Sequence, residues 1–252
     1  MIHHASNLSN LSQFRHGFFE KSAPQKPSLN AATTDHETPE EIQSQREFMM
    51  HALTGQTVPL MLLKQIHSPT VHIVDSADQV LKEGDGLVTK EKNIALGILT
   101  ADCGPILFAD PENGVIGAAH AGWRGALAGV IESTVAKMET LGAERSRIIA
   151  ALGPTIQPSH YEVGPEFEEL LGHNATTFLR PSEKKAHFYF DLPLYIQTKI
   201  KEAHIENFED LKLNTFTGNF FSRREALHKS QSVNYGGPCN LSAILIRHAP
   251  SK

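Results

Sequence analysis

The chain has 252 residues, with 23 Lys and Arg against 28 Asp and Glu and a formal net charge of −5 at pH 7. This balance lacks the basic excess that covers a phosphate backbone, which argues against nucleic acid as a partner. The length suffices for a core that needs neither disulfides nor a structural metal, so Cys103 and Cys239 are expected to be reduced thiols.

The N-terminal part of the chain is polar and does not resemble a targeting segment. Residues 1–21 lack a basic start followed by an apolar core, and no later stretch approaches the roughly 18 apolar residues of a membrane span. We therefore expect a cytoplasmic protein with no membrane partner. Residues 21–45 contain three prolines and predict a flexible polar segment that leads into a short helix over 41–53.

After the polar segment, apolar and β-branched runs recur and predict β-strands. The runs are LMLLKQI, VHIV, ALGILT, PILFA, VIGAA, RIIAAL, FYF and LSAILIR. Two helices are predicted between them, one over 123–141 that is capped by Gly142 and one over 192–203 with Asp191 as its N-cap. No linker divides this region, so we predict a single α+β domain over residues 1–252.

Three of the predicted strands stop at a side chain that can bind a metal. MLLKQIH ends at His67, ALGILTADC at Cys103 and VIGAAH at His120. Residues just past strand ends are held by rigid elements and face loops, which suits a site. Two imidazoles and a thiolate suit Zn²⁺ with one position left open, and copper would also accept them. The alternative is a small buried cysteine and two histidines that are satisfied polar groups.

The stretch HAGWRGALAGV, which contains the last of these residues, suits an anion. Gly122 and Gly125 let the backbone approach a ligand, and the start of the following helix offers N–H groups whose charge Arg124 reinforces. The alternative is a tight strand-to-helix turn in which Arg124 faces water.

Two further loops are rich in glycine or proline, namely residues 84–89 and 151–164. They place Asp85, His160 and Glu162 where these residues act either as ligand contacts or as turn residues.

Together these segments resemble the YfiH family. Its members are called laccase-domain or multicopper polyphenol oxidase proteins, purine nucleoside phosphorylases and, in one lineage, peptidoglycan editing factor. The resemblance spans residues 16–247 and is carried, in order, by KQIHS, EGDGLVT, LTADCGPILFAD, GAAHAGWRG, LGPTI, HYEVG, FDLP and NFFSRRE. It implies a single domain of two mixed β-sheets packed together, with helices on the outside.

The resemblance also implies a metal and an activity. The zinc site of the family corresponds to His67, Cys103 and His120. Members cleave adenosine, inosine and methylthioadenosine with phosphate and deaminate adenosine. We therefore expect a zinc-dependent purine nucleoside phosphorylase with adenosine deaminase activity, whose partners are purine nucleosides and phosphate. The alternatives are a copper-dependent polyphenol oxidase and a peptidoglycan-precursor editing factor.

Further site residues are expected around the metal. A nearby carboxylate must handle protons, and Asp102 and Asp85 are the candidates. Asp102 is equally a candidate for orienting a ligand histidine. Arg124 and Arg224 are predicted to bind phosphate. Arg46 is carried over from the resemblance, although Gln precedes it here where many members read Asn-Arg.

Two motifs depart from the family pattern. HYEVG begins with His160 where many members have Cys, and FSRRE lacks the tyrosine of the usual Phe-Ser-Tyr-Arg-Arg. Both changes bear on substrate preference and leave the three metal ligands intact. Cys239 lies in a loop before the last strand, where a small, partly buried residue suffices, and is not expected to bind the metal.

Overall fold

The computed structural model describes residues 1–24, 26, 28–32, 34, 37–229 and 237–247. In chain order its strands are β1 (Ile2–His3), β2 (Phe14–Phe19), β3 (Leu60–Met61), β4 (Val71–Ile73), β5 (Gly86–Thr89), β6 (Ala95–Thr100), β7 (Gly104–Asp110), β8 (Val115–Ala121), β9 (Ile149–Leu152), β10 (Glu162–Val163), β11 (Leu179–Pro181), β12 (Phe188–Phe190), β13 (Asn207–Asp210) and β14 (Asn240–Ile246). Its α-helices are α1 (Ser6–Ser9), α2 (Pro39–Thr54), α3 (Trp123–Ala128), α4 (Val130–Thr140), α5 (Glu166–Leu171), α6 (Ala175–Phe178), α7 (Leu192–Glu202) and α8 (Arg223–His228). None of the helices in these ranges is long and apolar enough to cross a bilayer.

Two large sheets form the body of the molecule. The first has five strands in the order β1-β2-β14-β6-β3, and the second has six in the order β13-β9-β7-β8-β5-β4. Both are mixed, because β3 runs parallel to β6 and the edge strands β13 and β4 run parallel to their neighbours, whereas the remaining pairs are antiparallel. The predicted α+β fold with two mixed sheets is confirmed. A third sheet, β10-β12-β11, was not predicted.

Strand β7 shows how the layers stack. Its residues alternate between two cores, since Leu107 and Ala109 pack toward the first sheet while Ile106 and Phe108 pack against α4 and α7. Both faces are therefore buried, which explains why this strand reads as a continuous apolar run. On the far side of the first sheet, α2 covers a third core. Helices thus lie on the outside of two stacked sheets, as predicted.

Some predicted elements differ in extent from the observed ones. The helix predicted over 123–141 is two helices, because Gly129 adopts a left-handed φ of +93° between α3 and α4. The predicted strand LMLLKQI is regular only at Leu60–Met61, and the loop predicted over 84–89 contains β5. The predicted cap of α7 is confirmed, as the Asp191 side chain accepts from the amide of Leu194.

The polar segment over 21–45 is partly helical. Helix α2 begins at Pro39 rather than at 41, and Thr38 and Glu41 form a capping box at its start. Before the helix, Asn30 is fully buried, and its backbone N–H donates to the side-chain oxygen of Gln45. The flexibility of this segment and the extent of the domain over all 252 residues stay predictions, and residues 25, 27, 33, 35 and 36 lie outside the described ones.

His16 of β2 is a buried histidine that the fold holds in its neutral form. It is 3% exposed, and its Nε2 accepts a hydrogen bond of 2.8 Å from the amide of Ala5. Burial, together with the nearby His4, lowers the pKa of His16 to about 4. Because the folded pKa lies below the ordinary value of 6.5, the unfolded chain takes up this proton first as the pH falls.

We therefore expect the stabilisation from neutral His16 to be fully present above pH 6.5 and to be lost as the pH falls from 6.5 to about 4. The free energy of unfolding should drop by about 3 kcal/mol across this window. Urea unfolding at a series of pH values checks this, with His16→Gln as the variant that keeps an acceptor but cannot titrate. A pH dependence in His16→Gln equal to that of the wild type would contradict the assignment.

Candidate metal centre

The three predicted ligands lie together at one end of the two sheets. His67 lies on the connection from β3 to β4 and Cys103 on the connection from β6 to β7, and both connections pass from the first sheet to the second. His120 lies within β8, on the face that Ile116 and Ala118 turn toward the first sheet. The prediction that all three follow strand ends directly is therefore wrong for His120, which is in the strand, and for His67, which lies well beyond β3.

The ligand atoms of the three residues converge. One nitrogen each of His67 and His120 and the sulfur of Cys103 all lie within 4.8 Å of one another. The Cys103 Sγ is 3.8 Å from His67 Nε2, and the two imidazole centroids are 4.7 Å apart. His120 is buried, Cys103 is half-buried and His67 is exposed, so the cluster opens to solvent on the His67 side. In the part of the chain that the structure describes, no other three His, Cys, Asp or Glu side chains converge in this way.

The charges within the cluster favour a thiolate. Burial raises the pKa of the Cys103 thiol, but the imidazoles of His120 and His67 lower it more, and its pKa ends below the ordinary value. Burial lowers the pKa of His120, but the Cys103 thiolate and Asp85 raise it more. The thiolate is the form of cysteine that binds metals. A positive charge is thus already favoured beside the Cys103 sulfur.

Asp85 holds the cluster together without being one of the three ligands. Its Oδ1 accepts from His120 Nδ1 at 2.8 Å and from the amide of His67 at 2.9 Å. Its Oδ2 accepts from the amide and hydroxyl of Ser68 and from the amide of Ile66. Although burial alone would raise the pKa of Asp85, these donors lower it to about 2. Because Nδ1 of His120 is engaged, Nε2 is the nitrogen left for a metal.

Gly122 leaves the room that the cluster needs. A Cβ at this position would lie 2.7 Å from Cys103 Sγ and 3.1 Å from His67 Cδ2. Gly104, which directly follows the cysteine, also lacks room for a side chain, but the obstacle is the core and not the cluster. A Cβ there would lie 2.5 Å from Ile196 Cδ1 of α7. The glycine that lets backbone come close to the cluster is therefore Gly122.

Asp102 joins the cluster to α8. Its Oδ1 accepts from Thr215 Oγ1 at 2.6 Å and its Oδ2 from the amide of Arg224 at 2.7 Å. Its backbone has a left-handed φ of +97°, and its carbonyl accepts from the amide of Ile156. Both carboxylate oxygens are thus engaged with groups other than a ligand histidine. The carboxylate that bonds to the ring of His120 is that of Asp85.

The three predicted arginines lie in different places. Arg224 donates from Nη2 to the Glu162 carbonyl at 2.9 Å, at the edge of the third sheet. Arg124 is exposed at the start of α3, with its Cζ 4.4 Å from the centroid of the Trp123 ring. Arg46 lies on α2, where its guanidinium donates twice to the carbonyl of Ala31. The backbone amide of Arg224 bonds to Asp102, the neighbour of Cys103, so Arg224 is linked to the cluster. Arg46 instead contacts the N-terminal region.

Two residues that shape the site were not singled out from the sequence. The Gln65 side chain donates to the carbonyl of Leu99 at 2.7 Å and accepts from its amide at 2.8 Å, which fixes the loop before His67 against β6. Tyr161 lies beside Arg224, whose Cζ is 5.5 Å from the centroid of the phenol ring. The only signals for these residues are that Gln65 lies two positions before His67 in KQIHS and that Tyr161 directly follows His160 in HYEVG. His160, which was named, stacks on Phe216 at a centroid distance of 4.2 Å.

Comparison with known proteins gives four informative matches. A family model described as multi-copper polyphenol oxidoreductase laccase matches residues 12–236. A purine nucleoside phosphorylase of Rickettsia conorii is 33% identical over 193 residues, which cover 75% of this chain and 78% of that protein. The adenosine deaminase RL5 of an unknown prokaryotic organism is 34% identical over 156 residues, covering 58% of this chain and 55% of that protein. The structure of the hypothetical protein YfiH of Bacillus licheniformis shares the fold, with a TM-score of 0.79, 24% identity and 94% of each chain covered.

Proposed function

The chain belongs to the multi-copper polyphenol oxidoreductase laccase family, which includes the YfiH-like proteins, and within it we propose that this protein is a zinc-dependent purine nucleoside phosphorylase that also deaminates adenosine. Its proposed substrates are phosphate with adenosine, inosine or methylthioadenosine. The observation that carries the proposal is the convergence of His67, Cys103 and His120, with ligand atoms within 4.8 Å of one another and Asp85 behind them.

The donor set of this cluster fits zinc. Zn²⁺ binds nitrogen and thiolate ligands, and a catalytic site keeps three protein ligands with a fourth position open. Here His67, Cys103 and His120 would hold the ion. The Cys103 thiol has a lowered pKa and the Nδ1 of His120 is fixed by Asp85, so a metal would meet a thiolate and an oriented imidazole. The proton that the raised pKa of His120 favours on its ring would leave when a metal binds. When bound, zinc supplies a Lewis acid next to the substrate.

Phosphorolysis requires an anion site and a proton. A phosphate oxygen bonds to C1′ of the ribose, the C1′–N9 bond breaks, and the purine keeps the electron pair and takes up a proton. We assign Arg124 and Arg224 to phosphate, because a guanidinium pairs well with a phosphate group. We assign the transfer of this proton to Asp102, because the carboxylate of Asp85 is fully buried and bonded to the His120 ring and to the amides of residues 66–68. Asp85 is then a positioning residue.

Deamination uses the same site with water in place of phosphate. Water adds to C6 of adenosine, and ammonia leaves to give inosine. The groups assigned to phosphate are not needed for this reaction, which is why one site can carry out both.

Phenol oxidation by several coppers is less well supported by the ligands. The family description names a multi-copper enzyme, but a centre with several coppers needs several sets of ligands. Among the described residues one set of three converges. Editing of peptidoglycan precursors has no contact in the described residues that favours it over nucleoside cleavage.

We expect protein loaded with zinc to release adenine from adenosine only when phosphate is present, with ribose 1-phosphate as the second product. Without phosphate the same preparation should form inosine and ammonia. Chromatography of the products of both reactions, with copper-loaded protein and a phenol as the comparison, checks this. No phosphate-dependent release of base from any of the three nucleosides, or a phenol oxidation faster than nucleoside turnover, would overturn the proposed function.

A further inference from the structure

Tyr161 lies in a rigid setting next to Arg224, the residue whose amide bonds to Asp102. Its amide donates to the carbonyl of Pro158 at 3.1 Å, and its carbonyl accepts from the amide of Phe190 at 3.0 Å. Its half-buried ring contacts the Phe190 ring at a centroid distance of 5.7 Å and lies under the guanidinium of Arg224 at 5.5 Å. The backbone and the ring of this tyrosine are thus both fixed.

The hydroxyl of Tyr161, in contrast, has no protein partner in the described part of the chain. The buried side-chain atoms left without a partner there belong to Asn7, Thr100 and Glu132, so the Tyr161 oxygen keeps access to solvent. A phenol that is fixed at its ring and unpaired at its oxygen is available to a ligand.

Four charged groups act electrostatically on this phenol, and one of them, Arg224, lies over its ring. Burial raises the pKa of Tyr161, the negative charges of Cys103 and Asp102 raise it further, and the cations Arg224 and Arg124 oppose them. The net shift is upward, so the phenol keeps its proton at neutral pH and is a hydrogen-bond donor. A donor beside two guanidinium groups matches an oxyanion rather than an uncharged purine.

We propose that the Tyr161 hydroxyl binds the phosphate co-substrate, donating a hydrogen bond to a phosphate oxygen that Arg124 and Arg224 also attract. This inference rests on the proposed function, and it makes Tyr161 a residue that distinguishes the phosphate-dependent reaction from the water-dependent one.

The test removes only the hydroxyl. In Tyr161→Phe the KM for phosphate in adenosine cleavage should rise by about tenfold to a hundredfold, the loss expected for one hydrogen bond to a charged group. The rate of adenosine deamination should be unchanged, because that reaction has no phosphate to bind. A purely structural role would not produce this difference between the two reactions.

The matched control is Tyr195→Phe. Tyr195 contacts the same Phe190 ring at 5.7 Å, but the charges near its hydroxyl are those of Lys199, Glu202 and Glu132. This control should leave the phosphate KM unchanged. An unchanged phosphate KM in Tyr161→Phe, an equal rise in Tyr195→Phe, or an equal loss of both reactions in Tyr161→Phe would overturn the proposal.

Direct binding separates this proposal from the proposed function. Calorimetric titration of the zinc-loaded proteins with inorganic phosphate requires no turnover. Weaker phosphate binding by Tyr161→Phe than by Tyr195→Phe would support the subsite even if no nucleoside were cleaved. No binding of phosphate by the wild type, or equal binding by both variants, would overturn it.

Discussion

Replacing Cys103 by serine should remove the bound metal and abolish nucleoside turnover while the protein stays folded. The variant loses the only thiolate of the cluster, and a serine hydroxyl does not ionise near neutral pH. A structural zinc site with four ligands gains roughly 10–16 kcal/mol, so one ligand corresponds to about 2.5–4 kcal/mol, or on the order of a hundredfold to a thousandfold in affinity. Metal analysis of protein prepared without added metal, together with circular dichroism, checks both halves of this expectation.

Cys239→Ser is the matched control for this experiment. The Cys239 thiol is half-buried and donates to the carbonyl of Gly237 at 3.6 Å. Burial, with a smaller effect from the negative charge of Cys103, raises the pKa of Cys239 to about 12, so it stays a thiol and is a poor ligand. This variant should keep its metal and its turnover. Full metal content in Cys103→Ser, or its loss in Cys239→Ser, would show that the cluster is wrongly assigned.

The strands that could be predicted are those buried on both faces. Strands β7, β8 and β14 lie in the middle of the sheets, and all seven residues of each are buried, so their sequences are mostly apolar. Strand β2 is also central, yet its sequence FRHGFF contains Arg15 and His16 and was not recognised. His16 is tolerated there because the Ala5 amide satisfies its ring. That partner comes from a different part of the chain and leaves no local pattern.

The ligands of the site could be predicted from residue type, but the roles of the two carboxylates could not. Strand β5 pairs with β8 so that Gly86 lies opposite Ala119, and this register brings Asp85 next to His120. Asp102 is adjacent to Cys103 in sequence, but its side chain bonds to Thr215 and Arg224, more than a hundred positions later. The sequence makes Asp102 a candidate both for moving protons and for orienting a histidine, whereas the pairing of β5 with β8 places Asp85 against His120.

Asp85→Asn is expected to weaken metal binding more than any other substitution outside the three ligands. Every group that faces this carboxylate is a donor, namely the ring of His120, the amides of residues 66–68 and the hydroxyl of Ser68. An amide side chain can accept on one side only and turns an NH₂ group toward donors on the other. The imidazole of His120 then loses its fixed orientation. Loss of such an orienting partner costs about tenfold to a hundredfold in metal affinity.

Asp110→Asn separates this effect from a general loss of stability. Asp110 is equally buried at 0% exposure, and its carboxylate accepts from the amides of Glu112, Asn113 and Glu144. Both variants place an amide against several buried donors, so each should lower the free energy of unfolding by about 3 kcal/mol. Only Asp85→Asn should shift the zinc affinity measured by competition with a chelator, because Asp110 lies at the other end of β7 from Cys103. Equal weakening of zinc binding in both variants would mean that stability, and not the hydrogen bond to His120, controls the metal site.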